Sequence, residues 1–268
     1  MTGKAGEFLA LHRKGEPLLQ PNAWDVGSAR ILAAMGVEAI ATTSSGFAAS
    51  LGLMDGKVTR EQVLDHCRAL SAAVDIPVAA DYEDGFAAEP EGVAESVRLA
   101  SETGLAGCSV EDFTRDDSAP IYDVERAVDR VRAAAEAAHG GGTQLVLTAR
   151  AENLIHGVDD LADTIARLQR YQEAGADVLF APGLKTLEQV QAVVSSVDRP
   201  VNVLTAPGRP SVEELAAAGV ARISVGGLFA FKAYGELVAS ATELRESGTA
   251  SVQDGLRAAR KVFATALR

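Results

Sequence analysis

The chain has 268 residues, of which 47% are apolar and 5% aromatic, and its formal charge at pH 7 is −12. This length and apolar content suit a single large α/β domain, since α/β barrels commonly have about 250 residues. The acidic charge argues against nucleic acid or an anionic membrane as a partner, because both require basic patches.

The composition also indicates the cellular setting. The N-terminal segment lacks the apolar core of a signal peptide, and the chain has no 18-residue apolar run. We therefore expect a soluble, cytoplasmic protein. The two cysteines, Cys67 and Cys108, fall in a predicted helix and a predicted strand and are interpreted as small core residues in a reducing compartment. The four histidines are scattered without metal-ligand spacing.

Short apolar runs alternate with amphipathic helical segments along the chain. In chain order the predicted strands are 17–22, 38–44, 76–83, 107–112, 144–150, 177–183, 200–206 and 221–227. Several helices end at a glycine that fits a C-cap before the next strand, at Gly36, Gly104, Gly175 and Gly219. Eight strands, apolar on both faces and separated by helices, predict a (β/α)₈ barrel of the TIM type. An open doubly wound sheet is the weaker alternative, because no G-x-G-x-x-G follows the first strand.

The predicted barrel occupies residues 1–268 as one domain. After the eighth strand, residues 228–268 contain two helical stretches where a barrel requires one. We expect a C-terminal helical extension whose last helix packs elsewhere, for example on a neighbouring subunit.

Acidic residues follow two neighbouring predicted strands. Asp81 and Glu83 end the third strand, Glu111 ends the fourth, and the fifth ends at Arg150. Carboxylates gathered at one rim without histidine or cysteine suit a hard cation such as Mg²⁺ or Mn²⁺, whereas a solvated acidic loop is the alternative interpretation. An arginine beside the cation suits a carboxylate substrate, because its planar fork meets two oxygens at once.

Other barrel chemistries find less support. A Schiff-base aldolase requires a desolvated lysine, and Lys185 is the only lysine that we expect near the rim. The glycine pair Gly226–Gly227 is compatible with a phosphate-binding turn, but such pairs also serve packing alone. No nucleophile-elbow pattern occurs in the chain.

Four segments, in this order and on the expected strands, resemble the isocitrate lyase/phosphoenolpyruvate mutase superfamily. They are PNAWDVGSARILAAMGVEAIATTSSGFAASLGLMDG, PVAADYEDG, GCSVED and TARAEN, and the similarity extends over about residues 17 to 227. The resemblance implies a (β/α)₈ barrel that binds Mg²⁺ and a 2-oxo or 2-hydroxy acid and makes or breaks C–C or P–C bonds. It also implies a homotetramer, a dimer of dimers, in which C-terminal helices swap between subunits.

The resemblance assigns roles to individual positions. Asp81 is similar to the direct metal ligand, Glu83 and Glu111 to acids that hold metal-bound waters, and Asp55 to a further outer acid. Arg150 resembles the residue that binds the substrate carboxylate. The remaining expected substrate-binding residues are Trp24, Ser45, Gly46, Phe47 and Asn202. Arg150, Asp81 and Glu111 are the expected catalytic residues.

One loop departs from the superfamily pattern. Lyases of this superfamily carry a Lys-Lys-Cys-Gly-His loop after the fourth strand, and mutases carry a lysine and an asparagine there. Here the loop reads EDFTRDDSAPIYD, without cysteine, histidine or lysine. Arg115 either substitutes for the missing cation or is a solvated loop residue.

The intact acid cluster and the altered loop together lead to a functional hypothesis. We expect a Mg²⁺-dependent C–C lyase acting on a small 2-oxo or 2-hydroxy acid, with oxaloacetate-like decarboxylation as one candidate. A P–C bond enzyme, a magnesium aldolase of another barrel family, and a barrel that binds a 2-oxo acid without turnover are the alternatives.

Overall fold

The computed structural model describes residues 1–251 and 254–266. Within them, nine strands form one parallel sheet in the order β1-β9-β8-β7-β6-β5-β4-β3-β2. The strands are β1 (Leu18–Gln20), β2 (Asn22–Ala23), β3 (Ile40–Thr42), β4 (Val78–Asp81), β5 (Gly107–Glu111), β6 (Val146–Arg150), β7 (Val178–Phe180), β8 (Val201–Leu204) and β9 (Arg222–Ser224). The sheet curls into a barrel of the TIM type, as the strand pattern predicted.

The eight predicted strands are all confirmed, but the first is divided in two at Pro21. Proline has no N–H to donate to a ladder, so pairing with β9 ends at Gln20 and pairing with β3 begins at Asn22. The carboxamide of Asn22 spans this seam. Its nitrogen donates to the carbonyl of Thr42 at 2.6 Å, and its oxygen accepts the N–H groups of Val225 and Gly226 at 3.0 and 2.9 Å.

The helices cover the outside of the barrel. They are α1 (Gly3–Ala10), α2 (Val26–Ala34), α3 (Ser44–Ser50), α4 (Arg60–Ala73), α5 (Pro90–Ser101), α6 (Val124–Gly140), α7 (Leu161–Glu173), α8 (Leu187–Ser196), α9 (Val212–Ala217), α10 (Leu228–Ser247) and α11 (Asp254–Ala266). The four predicted C-cap glycines all have positive φ, between 84° and 107°, which confirms the predicted helix ends.

Helix α1 closes the N-terminal end of the barrel. Phe8 is fully buried there and packs in a cluster with Leu18, Val146 and Val178. The backbone of β5 passes so close that a Cβ on Gly107 would lie 2.7 Å from the carbonyl oxygen of Val146. This end of the barrel is therefore tightly packed, and the opposite end is the one available for a site.

The two predicted C-terminal helices are both present. In α10 only Ala230 is buried, whereas Phe231, Leu237, Val238 and Leu244 are 53 to 65% exposed. Helix α11 contacts α2 of the same chain. Among the helices of residues 1–251 and 254–266, none is long and apolar enough to cross a membrane.

Candidate active site

Two adjoining cavities open at the carboxyl ends of the strands. The deeper cavity has a volume of about 200 Å³ and reaches from the rim into the barrel, and the outer one has a volume of about 430 Å³. Both are lined by Ser44, Asp55, Arg150 and Ile155. They are therefore two parts of one site, at the end of the barrel where TIM-barrel enzymes carry their chemistry.

Arg150 lies at the centre of this site and contacts three carboxylates. Its Nη1 is 2.8 Å from Asp81 Oδ1, and its Nη2 is 3.2 Å from Glu111 Oε2 and 2.9 Å from Glu152 Oε1. The guanidinium also lies over the ring of Phe180, 5.2 Å from its centroid. Burial lowers the pKa of Arg150, but the surrounding carboxylates outweigh burial and raise it well above its usual value. Arg150 is thus a permanent cation in a fixed orientation.

Asp81 ends β4 and is held by groups from three other elements. Oδ1 accepts from Arg150, Oδ2 accepts the backbone N–H of Ser44 at 3.0 Å, and its own N–H donates to Oγ1 of Thr42 at 2.9 Å. The start of α3 and the end of β6, two strands away from β4, thus hold the two oxygens of the Asp81 carboxylate, and β3 holds its backbone.

A second arginine lies among the outer acids. Arg115 Nη2 is 2.9 Å from Glu83 Oε2 and 2.7 Å from Asp84 Oδ1, and Nη1 donates to the carbonyl of Gly56 at 3.0 Å. Glu83 and Arg115 both have positive φ, 48° and 64°. Arg115 is therefore an exposed loop residue whose guanidinium is nevertheless held by two acids rather than free in solvent. It connects the loop after β5 to the acidic end of β4.

Burial and mutual repulsion disfavour the charged forms of these acids. Burial raises the pKa of Glu83 to about 7. The charge of Arg115 opposes this rise, and the charges of Asp81, Asp55 and Asp84 add to it. Burial also raises the pKa of Glu111 well above its ordinary value, and burial and Asp81 raise that of Asp55.

The donor set fits a hard divalent cation. In the described part of the chain, no three acidic, histidine or cysteine side chains form a ready-made ligand cluster. Asp81 with acids further out nevertheless matches the preference of Mg²⁺, which usually takes one or two carboxylates directly and keeps several waters. A cation between Asp81, Glu83 and Asp55 would relieve the repulsion that helps to raise the pKa values of Glu83 and Asp55.

Comparison with known proteins identifies the family. Residues 8–245 match the family described as phosphoenolpyruvate phosphomutase. The chain is a member of the isocitrate lyase/phosphoenolpyruvate mutase superfamily. The resemblance seen in the four sequence segments is thereby confirmed.

Three relatives show how far the similarity extends. One is a crystal structure of a protein from Burkholderia cenocepacia J2315 that is provisionally named as a lyase/mutase. Its sequence is 46% identical to this chain, the match covers 97% of this chain and 95% of that one, and the TM-score is 0.91. The 2-methylisocitrate lyase of Escherichia coli K12 is 31% identical over 92% of this chain and 86% of its own length. The oxaloacetate decarboxylase of Pseudomonas putida GB-1 is 29% identical over 84% of this chain and 78% of its own.

The substrate-binding residues suggested by the superfamily resemblance lie at different depths. Ser45 and Asn202 line the deeper cavity, whereas Trp24, Gly46 and Phe47 line neither cavity. A Cβ on Gly46 would lie 2.7 Å from the side chain of Thr43, and the ring of Phe47 stacks on His66 with centroids 3.7 Å apart. Trp24, Gly46 and Phe47 therefore form the packing behind the wall of the site, and their role in binding stays a prediction.

The list of strand-end residues read from the sequence missed two residues of the site, Lys57 and His156. The expectation that Lys185 is the only lysine near the rim is wrong, because Lys57 lines the outer cavity and Lys185 lines neither cavity. His156 also lines the outer cavity, where its ring stacks on Phe113 with centroids 4.0 Å apart. Both lie on loops whose position the strand pattern does not determine.

Proposed function

We propose that this protein is a Mg²⁺- or Mn²⁺-dependent lyase that cleaves a C–C bond of a small 2-oxo or 2-hydroxy acid. The observation that carries the proposal is the buried Arg150, fixed by Asp81, Glu111 and Glu152 at the open end of the barrel. Relatives named as 2-methylisocitrate lyase and oxaloacetate decarboxylase support lyase chemistry at this site.

The acids of the rim would hold the cation. Asp81 would bind it directly, and Glu83, Glu111 and Asp55 would bind its water molecules. When bound, the cation supplies positive charge that stabilises the negative charge developing on the substrate oxygen.

The chain's own residues would hold the substrate and exclude water. Arg150 lines both cavities, and beside its three carboxylate partners its planar guanidinium would offer N–H donors suited to a substrate carboxylate. The loop after β5 lacks the proton donor of related lyases, but the outer cavity contains two groups that can donate a proton, Lys57 and His156. Arg115 holds that loop against the acids and would limit access of solvent during the reaction.

A P–C bond enzyme is the second candidate, because the matching family is described as phosphoenolpyruvate phosphomutase. The lysine of the corresponding mutase loop is missing here, which disfavours this reaction. Measuring phosphate released from phosphonopyruvate, next to pyruvate released from oxaloacetate, separates P–C hydrolysis from C–C cleavage. Binding of oxalate without any product would indicate a binding protein that has no lyase activity.

We further propose that the protein assembles as a homotetramer through its C-terminal helices. The exposed apolar residues of α10, among them Leu237 and Val238, support a role in subunit contacts, since water would otherwise cover this surface. Helix α11 packs against α2 of its own chain, and in a helix-swapped tetramer it would make the same contact with α2 of a partner subunit.

The first test is a thermal shift assay with oxalate, which mimics a planar enolate. Oxalate and Mg²⁺ together should raise the melting temperature, because ligands of the native state stabilise it, and either alone should do so less. Asp81→Ala and Arg150→Lys should abolish the joint effect, whereas Lys185→Ala, outside both cavities, should retain it. If oxalate and Mg²⁺ have no joint effect on the unmodified protein, the proposed site is wrong.

A further inference from the structure

The floor of the deeper cavity contains a second buried arginine. Arg222 on β9 points into the barrel and lines the same cavity as Arg150, although only 5% of its surface is exposed. The proposed reaction does not use it, and its charge requires an explanation.

All the contacts of Arg222 are with neutral acceptors. Nε donates to Asn202 Oδ1 at 2.9 Å, Nη1 to His12 Nε2 at 3.1 Å, and Nη2 to Thr148 Oγ1 at 3.1 Å. A guanidinium has five N–H groups, so two donors of Arg222 have no acceptor among the described residues.

His12 cannot supply the missing negative charge. Its Nδ1 lies 2.9 Å from the carbonyl oxygen of Phe8, which can only accept, so Nδ1 carries the proton and Nε2 is the acceptor for Arg222. Burial and the charge of Arg222 lower the pKa of His12 to about 3, so the ring is neutral at physiological pH.

Two other buried arginines of the barrel have carboxylate partners: Arg150 contacts three carboxylates, and Arg167 pairs with Asp112 and Asp163. Arg130 is buried without an ion pair among the described residues, but it donates to three backbone carbonyls and, unlike Arg222, lines neither cavity. No ion pair of Arg222 is present in residues 1–251 and 254–266. A buried charge without a counter-charge is unfavourable, and an arriving anion would offset this cost.

The position of Arg222 suits a group attached to the same ligand that Arg150 binds. Its partner Thr148 lies two residues before Arg150 on β6 and faces the same side of the strand. Two residues along a strand span roughly 6.6 Å, so Arg222 reaches the layer directly below Arg150. The two guanidinium groups therefore lie at different depths of one cavity.

We propose that Arg222 binds a second carboxylate of the substrate, so that the site selects four-carbon dicarboxylic 2-oxo or 2-hydroxy acids over the monocarboxylic ones. This inference rests on the proposed function, in which Arg150 and the rim bind the 2-oxo or 2-hydroxy acid end. Asn202 holds the guanidinium in position. Its side-chain oxygen accepts from Nε of Arg222, and its side-chain nitrogen donates to Ser224 Oγ at 3.0 Å.

Isothermal titration calorimetry with malate and 2-hydroxybutyrate, in the presence of Mg²⁺, tests the proposal. The two acids share four carbons and the 2-hydroxy acid end, and they differ in the distal carboxylate. The unmodified protein should bind malate at least about tenfold more tightly, the gain expected of a charge-assisted hydrogen bond. Arg222→Met should remove this preference without weakening 2-hydroxybutyrate. Arg222→Lys should retain part of it, and Arg199→Met, which removes one exposed positive charge, should retain all of it.

The possible results distinguish the inference from the function on which it rests. If both acids bind the unmodified protein equally, the second subsite is wrong while the rim site remains. If Arg222→Met weakens both acids by the same factor, Arg222 supports the fold and selects nothing. If neither acid binds, the proposed function and the second subsite are both refuted. The comparison of the two acids on the unmodified protein needs no variant, so a misfolded variant does not prevent a decision.

Discussion

Glu83 should make the metal-free protein less stable as the pH rises. The carboxyl group is 6% exposed and its pKa is raised from 4.5 to about 7, mainly by burial, with Asp81, Asp55 and Asp84 adding to the rise against Arg115. Between these two values the folded protein keeps a proton on Glu83 that the unfolded chain releases. Linkage then requires stability to fall across this window, because the folded state binds more protons.

The size of the effect follows from the difference between the two pKa values. At about 1.4 kcal/mol for each unit of pKa, the full loss is about 3 kcal/mol. This loss of stability is absent below pH 4.5 and complete above pH 7. Glu83→Gln removes the titrating group but keeps an oxygen that Arg115 can contact. The variant should therefore be more stable than the unmodified protein at pH 8 and nearly equal to it at pH 4.

The assay is urea unfolding from pH 4 to 8 in EDTA, at one protein concentration. The difference in unfolding free energy between the two proteins isolates Glu83, since every other group titrates in both. Glu7→Gln, at an exposed acid of α1, serves as the control for the loss of one carboxylate away from the site. A constant difference, or one that grows in favour of the unmodified protein as the pH rises, would refute the reasoning. Adding Mg²⁺ at pH 8 should restore stability to the unmodified protein.

Three further changes test the packing around the site. Tyr171→Phe removes the hydroxyl that donates to the buried Asp112 at 2.5 Å, and should cost about 1.5–3 kcal/mol in urea unfolding; no change would mean that other donors satisfy the carboxylate. Gly107→Ala should cost about 1–3 kcal/mol, because its Cβ would lie 2.7 Å from the carbonyl of Val146, and an unchanged melting temperature would contradict the tight closure of the barrel. Leu237→Glu on α10 should reduce the oligomer size measured by light scattering without lowering secondary structure content; an unchanged mass would exclude this surface from the interface.

The fold was predictable because each strand and helix end is encoded locally. The β-branched runs and the glycines at Gly36 and Gly175 mark where strands begin and helices end, without reference to distant parts of the chain. In a parallel barrel all carboxyl ends lie on one side, so the convergence of Asp81, Glu111 and Arg150 followed from the strand pattern alone.

The break of the first strand was not expected, although its cause is local. Pro21 lies between Gln20 and Asn22 near the end of the predicted strand 17–22, and the missing N–H divides the strand into β1 and β2. The apolar pattern predicts a strand on either side of proline, but it does not show which neighbour each half will pair with.

The sequence by itself determined the barrel, the acids and arginine at its rim, and the superfamily, because these depend on local propensity and on the order of strands. Only the tertiary structure decided the partners of the charged groups. Arg115 contacts Glu83 across a loop, and Arg222 contacts His12 from the other end of the chain. Such pairs are set by how loops and side chains pack inside the closed barrel, and no spacing along the sequence encodes that distance.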